Sequence, residues 1–159
     1  MKAAPRSLGF TLVEMVVVVA LVAILAAAAH PILTLAKRRS DELQLHQNLR
    51  ALRMAIDAYK QAASDHRIEV PADASGYPPN LRSLGDGVAV SSTAKGKRIY
   101  FMRRLPRDPF ADPSLPAEDT WGLRSYDSPP EAPSPGKDVF DVHSLSEGTG
   151  LDGTPYAAW

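Results

Sequence analysis

The sequence predicts an α+β fold in which one long N-terminal helix, half membrane-spanning and half amphipathic, packs on a small antiparallel sheet. Three observations carry that expectation. Met15 to Ala29 is an unbroken apolar run. Leu45, Leu49, Leu52, Ile56, Tyr59 and Ala63 then follow at alternating spacings of four and three, one stripe of a helix. After His66 come 12 of the 14 prolines, set among short β-branched and aromatic segments.

A chain of 159 residues suffices for one modest globular body plus an accessory segment. Its 18 basic and 18 acidic side chains balance, so no overall field points to nucleic acid or to an acidic substrate. Cysteine is absent, which excludes disulfides, thiolate metal sites and a cysteine nucleophile together.

Phe10 to Ala29 contains only Thr11 and Glu14 as polar residues. As a helix these residues span about 30 Å, the thickness of a bilayer's hydrocarbon. An ordinary cleaved secretory signal also places basic residues, here Lys2 and Arg6, before an apolar run. Glu14 argues against it, because an ionised carboxylate there costs about 2.5 to 3.5 kcal/mol on insertion scales. The run also leads straight into a second helical pattern instead of a small-residue cleavage site.

Leu8-Gly9-Phe10-Thr11-Leu12-Val13-Glu14 resembles the leader of the type IV pilin-like family. The resemblance implies cleavage by a prepilin peptidase between Gly9 and Phe10 on the cytoplasmic side, and N-methylation of Phe10. Loss of Lys2 and Arg6 then leaves the product mildly acidic. It also implies an assembly role for Glu14, whose carboxylate would pair with the Phe10 amine of an adjacent subunit. Two unit charges at 4 Å attract by about 4 kcal/mol at an effective dielectric of 20, enough to offset the insertion cost. Lys37, Arg38 and Arg39 outnumber the leader's basic residues, and on the positive-inside count alone they point to the opposite orientation. The leader has a use only with Gly9 in the cytoplasm, which puts the body in the periplasm.

Four segments follow: a cleaved leader over 1–9, a transmembrane helix over 10–33, its amphipathic continuation over 34–65 and a loop-rich β domain over 66–159. Pro31 removes a backbone hydrogen bond and is expected to bend the helix near His30. Arg50, Arg53, Asp57 and Lys60 lie off the apolar stripe. The strand candidates are Arg98 to Met102, Leu123 to Tyr126 and Asp138 to His143, expected to form one small sheet covered on one face by the helix. His30, His46, His66 and His143 are scattered and form no metal-binding motif.

The resemblance narrows to the major pseudopilins, the protein G type of type II secretion, through Gly76-Tyr77-Pro78, Leu105-Pro106-Arg107-Asp108-Pro109-Phe110 and Asp138-Val139-Phe140-Asp141-Val142-His143-Ser144. It implies a homo-oligomeric periplasmic fibre shared with other pseudopilins, and as partners the prepilin peptidase, the secretion assembly platform and the inner membrane. That family carries a calcium loop, and the comparable stretch is Ser144 to Gly153. Calcium takes six to eight oxygen ligands, yet only Glu147 and Asp152 are acidic there, and Gly153 stands where a second aspartate is usual. A weakened or lost metal site at Glu147 and Asp152 is the expectation, with no cofactor required. A plain loop pinned by Tyr156 and Trp159 is the simpler reading.

No nucleophile elbow, phosphate loop or dinucleotide fingerprint is present, so catalysis is not expected. Asp108, Asp112, Glu118 and Asp119 beside Pro109, Pro113 and Pro116 read as turn residues. The alternatives are a pilin of a type IV pilus and a membrane-anchored periplasmic domain of another class.

Overall fold

A computed structural model describes residues 9–91 and 96–159, apart from the side chains of residues 28 and 29. Leu8 and the rest of the leader before Gly9 lie outside the described residues. The chain divides into two compact units, Met1–Ser40 and Asp41–Trp159. Helix α1, Leu12–Ser64, carries residues of both and continues through Pro31.

In the first unit, every described side chain from Phe10 to Ser40 is exposed, including Leu12, Val19, Ile24 and Leu25. A helix that is apolar all round finds its partner outside the chain. By length and composition α1 is able to cross a membrane.

In the second unit the apolar stripe becomes the core. Leu45, Leu49, Leu52, Ile56 and Tyr59 are buried with Ile68, Leu81, Leu84, Trp121, Val139, Val142 and Tyr156 in one cluster. The stripe ends on Ala62 rather than Ala63, which is only half-buried, and Ala55 widens it. The helix closes on a residue of left-handed backbone, His66 at φ 54°. The Arg67 amide reaches the Ala62 carbonyl at 2.9 Å and the His66 amide that of Ala63 at 3.0 Å, the paired bonds of a Schellman motif.

Among the described residues the expected single sheet is in fact two. Strands β1 (Val88–Ala89) and β2 (Arg98–Ile99) pair antiparallel, as do β3 (Trp121–Arg124) and β4 (Asp141–Ser144). β1 lies outside the strand candidates, being a two-residue strand after a glycine. β2 stops short of Met102 because the Phe101 and Met102 amides turn to the Leu84 carbonyl of the short helix α2 (Arg82–Asp86). β4 starts later than expected, since the Val139 amide bonds Pro78 at 2.8 Å instead of a strand. In β3–β4 the register sets Gly122 opposite His143, and a Cβ at Gly122 would come within 2.2 Å of the imidazole Nε2. Glycine lets that ring lie across the strand.

Two expectations about side chains also change. Arg53 does not merely lie off the stripe: it donates through Nε to Asp141 Oδ1 at 2.8 Å, and through Nη2 to the carbonyls of Val142 at 3.1 Å and Trp159 at 2.8 Å. Lys60 likewise donates to the Ser75 carbonyl. Asp108 is more than a turn residue, for it is buried and accepts from the Phe110 amide at 2.7 Å and from the Ser144 hydroxyl. Around it the Asn48 amide reaches the Arg107 carbonyl and the Trp121 indole that of Pro106, so the Leu105–Phe110 landmark joins the helix to β3 and β4.

Candidate functional site

Gly9 and Phe10 precede α1 in an exposed segment outside any helix or strand, with Phe10 73% exposed. Among the described residues, a Cβ added at Gly9 would meet nothing within 4 Å.

Thr11 and Glu14 form a capping box that the sequence spells as Thr-x-x-Glu. The Glu14 amide donates to Thr11 Oγ1 at 3.2 Å, and the Thr11 amide donates back to Glu14 Oε2 at 3.4 Å. The first helical bond follows, from the Met15 amide to the Thr11 carbonyl at 3.1 Å. Glu14 thus satisfies an orphan amide and sits where the helix dipole favours an anion. The signal for this role is the three-residue spacing of Thr11 and Glu14, which stands in the sequence beside the more conspicuous charge.

The structure does not bring Glu147 and Asp152 together into a metal cage. Glu147 is exposed. Asp152 Oδ1 already accepts from the Thr154 amide at 2.9 Å and its hydroxyl at 2.7 Å, and that amide above all, then the hydroxyl, holds the Asp152 carboxyl below its ordinary value. Gly153 has φ 86°, which glycine adopts freely. Among the described residues no group of three or more His, Cys, Asp or Glu gathers to hold a metal ion. Set against the six to eight oxygens that calcium takes, the donors present do not fit it.

What holds this loop is a residue that no motif in the sequence marks. Glu42 is buried in α1, and its Oε1 accepts from the Leu151 amide at 3.0 Å and the Tyr156 hydroxyl at 2.9 Å. Four residues further along, His46 stacks on the Trp159 ring at 3.9 Å. Tyr156 and Trp159 pin the loop as expected, and the helix supplies the other half of each contact.

A capped, fully exposed apolar helix opening on Gly9-Phe10, followed by an amphipathic stretch buried against small antiparallel sheets, defines a type IV pilin-like protein. A family model described as "Prokaryotic N-terminal methylation motif" matches residues 5–29. The chain is 33% identical over 109 residues to the type II secretion system core protein G of Klebsiella pneumoniae, covering 66% of this chain and 70% of that protein. To the core protein G of Vibrio cholerae serotype O1 it is 30% identical over 164 residues, covering 96% and 93%. To that of Escherichia coli K12 it is 27% identical, covering 70% and 72%. The chain belongs to the type II secretion system core protein G family. No solved structure matches it.

Proposed function

We propose that the chain is a structural pseudopilin of a type II secretion system, polymerising with copies of itself and other pseudopilins into a periplasmic pseudopilus for protein export. The observation that carries the reading is the pairing of the methylation motif over 5–29 with full-length similarity to core protein G. In this reading the prepilin peptidase cuts between Gly9 and Phe10, and Phe10 is methylated. Residues 10–33 span the inner membrane once, residues 34–65 continue the helix, and the body from 66 to 159 stands in the periplasm. The secretion assembly platform receives the mature subunit. Polymerisation needs no active site, no nucleic acid and no cofactor.

Glu14 then has two successive duties, capping its own helix and neutralising the Phe10 amine of a neighbour. Substitutions separate them. Thr11→Val breaks the cap and keeps the charge, whereas Glu14→Gln keeps an acceptor for the Thr11 amide and removes the charge. Both are expected to be inserted and cut after Gly9, giving a normal mature N-terminus by mass spectrometry. Co-expressed with the wild type, Thr11→Val enters sheared fibres. Glu14→Gln is excluded and secretion fails, because a buried charge stripped of its partner costs about 3 to 5 kcal/mol. Equal incorporation of Glu14→Gln with full secretion would overturn the reading.

A further inference from the structure

We propose that Glu42 closes the loop over residues 145–155 in the place where the resemblance puts a bound cation, so that this body folds without calcium. The inference stands on the geometry of the second unit and does not depend on the secretion reading.

The electrostatic sense of the loop is the opposite of a cation site's. A calcium loop turns oxygens inward toward a positive centre. Here the loop presents donors, the Leu151 N–H and the Tyr156 O–H, to a buried anionic oxygen of α1. Those two bonds bridge sequence separations of 109 and 114 residues, and so they fasten the loop to α1 as a metal clip would.

Oxygens of Asp152, Thr154 and Gly148 are engaged within the loop or by the residues just after it. The Asp152 carboxylate binds Thr154, whose hydroxyl also accepts from the Trp159 indole. The Gly150 amide bonds the Thr154 carbonyl at 2.7 Å, and the Tyr156 amide that of Gly148 at 3.0 Å. Tyr156 is fixed by its ring as well as its hydroxyl, lying 4.3 Å from Phe110 in a stacked pair and 5.0 Å from Trp159 edge-on. Trp159 in turn lies flat on His46, which shares a helix face with Glu42 at a spacing of four. Two side chains one turn apart therefore grip the loop from α1, one by charge-assisted hydrogen bonds and one by stacking.

The test is hydrogen exchange of the full chain in detergent micelles, read on the peptides that contain Leu151 and Tyr156, with chelator and with about 5 mM calcium, above the range of weak extracellular calcium modules. Wild-type exchange is expected to be the same in both. Glu42→Ala should speed exchange at Leu151 by about tenfold or more, in both conditions alike. Glu42→Gln, which keeps an acceptor oxygen, should fall between the two. Should Glu42→Ala fail to fold, Tyr156→Phe carries the test: it keeps the ring, and exchange at Leu151 and Tyr156 should still quicken. Calcium that slows exchange in the wild type, or restores it in Glu42→Ala, would overturn the proposal. So would wild-type exchange in both Glu42→Ala and Tyr156→Phe.

Discussion

Leu25 and Leu52 occupy the same helix and meet opposite surroundings: Leu25 is 69% exposed and Leu52 is 0% exposed. From Leu12 to Ser40, α1 buries none of its described side chains, while from Asp41 onward it buries a stripe at every turn. The two stretches are equally helical, so helix formation does not separate them. What does is the pattern of apolar residues, all round in one and on one face in the other. The first leaves its burial to lipid or to other subunits, and the second completes it within the chain.

A matched pair of truncations puts that contrast at risk. Leu52→Ala should cost about 2 to 5 kcal/mol, the transfer and cavity terms of a buried leucine. Leu25→Ala should leave the body's stability within about 0.5 kcal/mol of the wild type. Thermal unfolding followed by near-ultraviolet circular dichroism of the full chain in detergent reads both, since Trp121, Tyr59 and Tyr156 lie in the core. Equal shifts would erase the difference between the halves.

A smaller effect belongs to Arg53, which holds its three acceptors from a half-exposed position. Screening by water limits the ion pair, so Arg53→Met should cost about 1 kcal/mol in the same melt, chiefly through the carbonyls left unpaired. No change would mean that the stripe alone holds the helix to β4.

The smallest effect is in pH. Burial pushes the His143 imidazole below its ordinary value, against a favourable contribution from Asp141, and Arg53 pushes it further down. A depressed folded value means that the unfolded chain takes the proton first. The stability held by neutral His143 is therefore intact above about pH 6.5 and declines as pH falls through the folded value. Melting temperatures measured between neutral and mildly acidic pH should show this decline, and His143→Gln should flatten it. In Arg53→Met the decline should be smaller and end at higher pH, because one of the charges opposing protonation is gone and the folded value moves back toward the unfolded one.

The parts legible in the sequence are those with a period. The stripe from Leu45 to Tyr59 can be read because apolar residues spaced by fours and threes fit one face of a helix and fit a strand badly, and all five are buried. The leader can be read because its residues are contiguous. Glu42 cannot, since nothing local marks a helix carboxylate whose partners lie more than a hundred residues away. Arg53 is hidden the same way, by partners on β4 and at Trp159. Strand β1 escapes because two residues carry no alternation to detect, whereas its partner β2 falls within the Arg98 to Met102 candidate. The Thr11–Glu14 box is visible in principle, but a carboxylate inside an apolar run is conspicuous for its charge and not for its spacing.

The wide separations tied by Arg53 set an order of events. Its bonds reach 88, 89 and 106 residues along the chain. A polypeptide made from its N-terminus delivers α1 long before β4 or Trp159, and contacts so distant wait on the closure of large loops. Until the last strand arrives, Leu45, Leu49, Leu52 and Ile56 lack Val142 and Tyr156 from their cluster, and the newly emerged helix keeps a sticky surface. Maturation of the subunit thus has a built-in delay. A copy truncated before Asp141 would carry an intact leader and an incompletely covered stripe, a substrate for proteases and chaperones and not a subunit that fibres can accept.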